Sequence, residues 1–184
     1  MALKESTMLA LGTKAPSFEL PDTISGNTYK LADLASDKAT VVMFICNHCP
    51  YVIHVNEELV RLAKEYQEKG VSFVAISSND VERYPMDGPD KMAIHAEKEG
   101  YPFPYLYDES QEVAKAYDAA CTPDYYLFDG EQNLAYRGRL DDSRPGSGMP
   151  LTGKDLRQAL DQVLSGEKPG EKQYPSAGCG IKWK

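Results

Sequence analysis

Val41-Val42-Met43-Phe44-Ile45-Cys46-Asn47-His48-Cys49-Pro50 is the stretch from which the rest of the chain is read. Residues 41–45 form a short, fully apolar, largely β-branched run, the pattern of a strand buried on both faces of a parallel or mixed sheet. A helical pattern opens at Pro50. A cysteine at such a junction has its sulfur near a helix N-terminus, where unpaired N–H groups and the positive end of the dipole favour a thiolate. The two-residue spacer lets the second thiol close a small disulfide ring. The pattern is that of a device for exchanging disulfides.

Downstream, Val52, Val55, Leu59, Leu62 and Tyr66 recur at spacings of three and four, which predicts a helix over 50–69 with one apolar face. Gly70 stands where a helix cap is expected. Val71 to Ile76 reads as a second buried strand. Strand, helix, strand implies a parallel pair joined by a right-handed crossover.

Upstream, the turn signals Ala15-Pro16, Leu20-Pro21 and Ser25-Gly26-Asn27 predict a small hairpin within residues 13–32. Residues 78–101 are polar, with a short helix expected from Pro89 to Glu99, and a further short helix is expected over 110–117. Tyr125 to Phe128 and Leu134 to Leu140 read as two strands joined by a turn containing Asp129-Gly130. A Gly/Pro/Ser loop fills 141–150. Leu151-Thr152-Gly153-Lys154-Asp155-Leu156 reads as a helix start, with Thr152 as cap, Asp155 reaching back and Leu151 stapling to Leu156. Residues 166–184 lack periodicity and are expected to be a tail on a single domain spanning 1–184.

A formal net charge of −8 and the lack of any basic run argue against nucleic-acid binding. No N-terminal apolar segment and no long apolar stretch is found, so no secretion signal and no membrane association are expected. Cytoplasm is the default location. Four cysteines are too few for a secreted disulfide scaffold. In a reducing compartment, Cys-x-x-Cys is a catalytic or a metal-binding pair. A zinc site needs four ligands and no second Cys-x-x-Cys exists, so no metal is expected. No Gly-x-Gly-x-x-Gly is present and no cofactor is expected.

Gly12-Thr13-Lys14-Ala15-Pro16-Ser17-Phe18-Glu19-Leu20-Pro21, Cys46-Asn47-His48-Cys49-Pro50-Tyr51 and Cys121-Thr122-Pro123 before Phe128-Asp129 together resemble the redoxin branch of the thioredoxin fold. That branch groups thiol–disulfide oxidoreductases with peroxiredoxins. The resemblance covers roughly residues 10–165. The terminal Gly178-Cys179-Gly180-Ile181-Lys182-Trp183 resembles the end of a subgroup of bacterial thioredoxin-like proteins, with which no specific substrate comes. The resemblance implies an α/β, thioredoxin-like three-layer sandwich: a mixed central sheet of about five strands, helices on both faces and an N-terminal hairpin extension.

It also implies roles. Cys46 is the expected nucleophile, the more exposed sulfur and the lower in pKa; Cys49 is the resolving thiol. His48 is the expected tuning residue, favouring the Cys46 thiolate, against the plainer reading of a solvent-facing histidine. Pro123 is the expected cis-proline, with Thr122 offering its backbone to an extended substrate, against an ordinary trans turn. Cys121 and Cys179 are further candidate redox thiols. Cys121 is better read as a buried thiol, and Cys179 is open between an incidental surface thiol and a redox partner. His54 and His95 are read as structural.

The expected partners are protein or small-molecule disulfides and a thiol electron donor. Two alternatives stand beside disulfide exchange. Peroxiredoxins carry Pro-x-x-x-Thr-x-x-Cys; aligning their reactive cysteine with Cys49 puts Cys46 at the Thr position and Val42 at the Pro position, so both motif residues are missing. A redox-sensing adaptor that uses the same cysteine pair to switch binding is the third class.

Overall fold

The computed structural model describes residues 2–184. At its centre is a five-stranded mixed sheet. In chain order the strands are β1 (Leu3–Glu5), β2 (Glu19–Pro21), β3 (Thr28–Lys30), β4 (Ala39–Phe44), β5 (Val71–Ser77), β6 (Tyr105–Tyr107), β7 (Cys121–Thr122), β8 (Asp124–Asp129), β9 (Leu134–Gly138) and β10 (Ala177–Gly180). The helices are α1 (Leu31–Leu34), α2 (Pro50–Gln67), α3 (Pro89–Glu99), α4 (Glu112–Ala116) and α5 (Lys154–Leu164). The central order is β6-β5-β4-β8-β9. β4 pairs with β5 in parallel, Val41 opposite Phe73, as the strand–helix–strand reading expected. β8 and β9 run antiparallel to complete the mixed sheet. β2 and β3 form the N-terminal hairpin.

The alternation of β4 explains the three layers. Val41 and Met43 point into one apolar cluster, with Leu59 and Leu62 of α2, Met92 of α3 and Leu160 of α5. Val42 and Phe44 point to the opposite face, against Phe18, Leu31 of α1, and Ala114 and Tyr117 by α4. A strand whose every residue is buried needs apolar side chains at both parities, and only a sheet covered on both faces supplies that. Among the described residues, no helix is long and apolar enough to cross a membrane.

Two expectations are corrected, and one strand was not expected. The region after residue 165 is not loose: β10 lies between β1 and β7 in a second, three-stranded sheet. Its short Ala-Gly-Cys-Gly sequence has no strand signature, and it is ordered by partners distant in sequence. β6, only three residues long, was also invisible to periodicity. Finally, α5 begins at Lys154, with Gly153 at the cap position. The cap comes from the preceding loop, where Asp141 Oδ2 accepts the N–H groups of Thr152 (2.8 Å) and Gly153 (2.6 Å). Asp155 is not free to reach back because it holds Arg139 Nε at 2.6 Å.

Behind β7 sits a fully buried ion pair. Arg137 Nη2 donates to Asp124 Oδ2 (3.0 Å) and to the Asp118 carbonyl (2.8 Å), Nη1 donates to Thr7 Oγ1 (3.0 Å), and the guanidinium lies over the Tyr126 ring. Desolvation raises the Asp124 pKa to about 6 despite this pairing. The cluster ties the N-terminal segment to the loop that precedes β8. Arg137→Met leaves Asp124 buried without its cation, and the expected cost is about 3–5 kcal/mol in urea unfolding. The loss should narrow as pH falls, because protonation of Asp124 removes the orphaned charge. A loss under about 1 kcal/mol would show that the pair does not hold this junction.

Candidate active site

β4 delivers Cys46 just past its last residue, and α2 starts at Pro50, so Cys49 is the residue at the helix N-cap. The backbone accepts there as a cap should: the Cys49 carbonyl receives the N–H groups of Val52 and Ile53, both at 3.0 Å. The Thr122–Pro123 peptide is cis. β7 brings Thr122 against both thiols. Cys46 Sγ lies 3.5 Å from Thr122 Oγ1, and Cys49 Sγ lies 3.5 Å from the Thr122 carbonyl oxygen.

A third sulfur is in contact. Cys179 of β10 sits opposite Thr122 in antiparallel register, and its Sγ is 2.7 Å from Cys49 Sγ. The three thiols are buried, Cys46 at 1%, Cys49 at 0% and Cys179 at 3% exposure. Cys46, expected to be the more exposed sulfur of the pair, is buried along with Cys49. The Thr122 edge, expected to face an extended substrate, pairs with the chain's own terminal strand. An added Cβ at Gly178 would overlap the Thr122 carbonyl, so only glycine allows this approach.

The charge also falls differently from expectation. Cys49 is lowered to about 5, first by a hydrogen bond from Cys46, against opposing desolvation, and further by Cys179, the Val52 N–H and Thr122. Cys46 is raised by that same hydrogen bond, then by burial and the Asp87 carboxylate. Cys179 is raised to about 12 by burial and by its bond to Cys49. Of the pair, Cys49 is the thiol shifted towards the charged form and Cys46 the one shifted away from it. Cys49 is also the N-cap residue of α2, with the Cys179 sulfur in contact.

His48 Nδ1 lies 2.8 Å from Asp87 Oδ2, and its ring stacks on Tyr84. The imidazole therefore faces a carboxylate. Asp87 is fully buried; its oxygens also accept the Asn47 N–H and Asn79 Nδ2, each at 2.9 Å. Asn47 in turn accepts from Tyr105 OH at 2.9 Å. Asp87 is a site residue that the sequence reading missed within the polar 78–101 segment; its one visible sign is the Pro85-Met86-Asp87-Gly88-Pro89 turn. Cys46, His48 and Asp87 place one ligand atom each within 4.8 Å of one another. Both Asp87 oxygens are engaged by amides, and through the Asn47 N–H Asp87 holds the Cys46–Cys49 loop.

Cys121 is buried and its Sγ faces carbonyls, Pro123 O at 3.8 Å and Ser176 O at 3.9 Å; burial pushes its pKa up. Among the described residues, Cys121 makes no hydrogen bond to another sulfur. His54 meets Ser143 Oγ at 2.8 Å and His95 meets Tyr101 OH at 3.1 Å, both outside the sulfur cluster.

Residues 11–137 match the AhpC/TSA family, and the chain belongs to that family, within the redoxin superfamily. A crystal structure of an uncharacterized conserved protein from Geobacillus kaustophilus is 62% identical and superposes with a TM-score of 0.98, covering 100% of this chain and 97% of that one. The thiol-disulfide oxidoreductase ResA of Geobacillus thermodenitrificans is 26% identical over 162 residues, 86% of this chain and 81% of ResA. Peroxidoxin BcpB of Mycobacterium tuberculosis shares the fold, with a TM-score of 0.64 at 22% identity over 88% of this chain and 100% of that one. The fold is thioredoxin-like, and the family's chemistry is oxidoreductase chemistry.

A thiolate absorbs near the far ultraviolet edge where a thiol does not. On raising the pH through about 5, absorbance should step up as the Cys49 thiolate forms. The step should vanish in Cys49→Ser and persist in Cys121→Ser. An unchanged step in Cys49→Ser would move the charge elsewhere.

Proposed function

We propose that the chain is a thiol–disulfide oxidoreductase whose working pair is Cys46 and Cys49, with Cys49 as the attacking thiolate and Cys46 as the resolving thiol. One observation carries this reading: both cysteine sulfurs contact Thr122 beside the cis Thr122–Pro123 bond, with Cys49 at the N-cap of α2. The Cys49 thiolate attacks a substrate disulfide and expels one substrate thiolate. The Cys46 thiol, giving up its proton, then attacks the Cys49 sulfur and expels the second. The protein is left with a Cys46–Cys49 disulfide, and an external thiol donor returns it to the dithiol. The substrates are protein or small-molecule disulfides. The similarity to ResA supports the same reading.

A second reading has one observation in its favour. The thiolate sits on the cysteine that aligns with the peroxiredoxin reactive position, so peroxide is an alternative electrophile, with Cys46 resolving a Cys49 sulfenic acid. It is the weaker reading because Cys46 stands where a hydroxyl would orient the peroxide. Insulin-disulfide reduction and peroxide consumption, driven by the same dithiol donor, separate the two. Insulin reduction should dominate, and Cys49→Ser should lower it at least tenfold. Peroxide consumption faster than insulin reduction would favour the peroxidase.

Tuning is assigned to Asp87, with His48 acting as its partner. Asp87 disfavours charge on Cys46, so Asp87→Asn should make Cys46 more acidic, stabilise the reduced form and raise the reduction potential. The amide oxygen can still accept the Asn47 N–H. In a glutathione redox titration, each 30 mV corresponds to about 1.4 kcal/mol, so a modest effect is readable. An unchanged or lower potential would remove the role.

A further inference from the structure

Cys179 has no place in a two-cysteine cycle, yet its sulfur is in contact with that of Cys49. Its Sγ is 2.7 Å from Cys49 Sγ. The position is built rather than incidental. Antiparallel pairing sets Cys179 opposite Thr122 and Gly180 opposite Cys121, and β1 holds the other edge, with Leu3 opposite Cys179. The Ile181 N–H to Ala120 carbonyl bond (3.1 Å) and the Asp80 N–H to Lys182 carbonyl bond (2.8 Å) anchor the chain just beyond. Lys182 N–H also donates to Asn79 Oδ1 at 2.9 Å, and Asn79 is the residue that holds Asp87. The terminal strand is thereby tied to the same frame as the Cys46–Cys49 loop.

We infer that Cys179 is a second resolving thiol for Cys49, so that the protein cycles through a Cys49–Cys179 disulfide as well as a Cys46–Cys49 one. The inference rests on the disulfide chemistry proposed above. The exchange balances without an added oxidant. The Cys179 sulfur attacks Cys49 in the Cys46–Cys49 disulfide; the Cys49–Cys179 bond forms, the Cys46–Cys49 bond breaks, and Cys46 leaves as a thiolate that takes up the proton lost by Cys179. The oxidation level of the protein is unchanged, and Cys46 is free again. The disulfide now lies on β10, on the strand that occupies the Thr122 edge, and an external dithiol reduces it from there. In a mixed disulfide between Cys49 and a substrate, the same attack by Cys179 releases the substrate thiol directly.

Disulfide mapping of the full chain tests this. Trypsin leaves Cys46 and Cys49 together in the peptide 39–61, Cys121 in 116–137 and Cys179 in 173–182. The protein is treated with one molar equivalent of oxidised glutathione, quenched in acid, alkylated and digested. A 39–61/173–182 linked pair is expected in the wild type, and it should become the dominant oxidised species in Cys46→Ser. A disulfide confined to 39–61 in the wild type, with no linked pair in either protein, would overturn the role of Cys179 while leaving the Cys46–Cys49 chemistry intact. Absence of any disulfide involving 39–61 in the wild type would overturn that chemistry, and the inference with it.

Discussion

The close approach of Gly178 to the Thr122 carbonyl is the constraint on which the site depends. Any side chain at residue 178 would collide with backbone, and a backbone carbonyl cannot swing aside as a flexible side chain can. With glycine there, β10 pairs along Thr122, and the alternation of the strand turns Cys179 towards Cys49. The same pairing covers the loop before β8 and buries all three sulfurs. Behind it, Arg137 and Asp124 fix the loop from the far side. The segment Cys121-Thr122-Pro123 is thus clamped between a strand and a buried ion pair, and the position of the thiols relative to one another follows from that clamp.

Electrostatics then select among the sulfurs. A helix end is worth about 0.3–1 kcal/mol to a nearby charge, whereas a tenfold gain in acidity needs about 1.4 kcal/mol. The dipole alone is too small to bring a thiol to about 5. Donors must add to it, and Cys49 has them: Cys46 on one side, Cys179 on the other and the Val52 N–H above. Cys46 has the opposite surroundings, with a thiolate neighbour and the buried Asp87 carboxylate. The same Asp87 shapes the loop through the Asn47 N–H, so one carboxylate positions the motif and keeps its first cysteine neutral.

The strand at residues 41–45, the parallel partner at 71–76, the Cys-x-x-Cys junction and the cis-proline after Thr122 were all legible in the sequence. Each is marked by a local signal: an apolar run, a spacing, a helix-compatible proline, or a motif carried by resemblance. What was not legible lies in contacts between distant segments. Asp87 sits forty residues from Asn47, its backbone partner, in a stretch that reads only as polar. β10 has no β-branched or aromatic residue, and its pairing is decided by Gly178 meeting Thr122. The helix start at Pro50 was legible too, but the contacts that set the two sulfurs apart, Asp87 beside Cys46 and Cys179 beside Cys49, come from distant segments.

The central claim is that Cys49 carries the attacking thiolate. The most direct measurement is to trap the first covalent step. Cys46→Ser combined with Cys179→Ser removes both resolving thiols, and one equivalent of an aromatic disulfide should leave a stable mixed disulfide on Cys49, found by peptide mass spectrometry. Cys49→Ser combined with Cys179→Ser should form little or none on Cys46 in the same time. Rapid trapping on Cys46 in the second protein, with none on Cys49 in the first, would contradict the account.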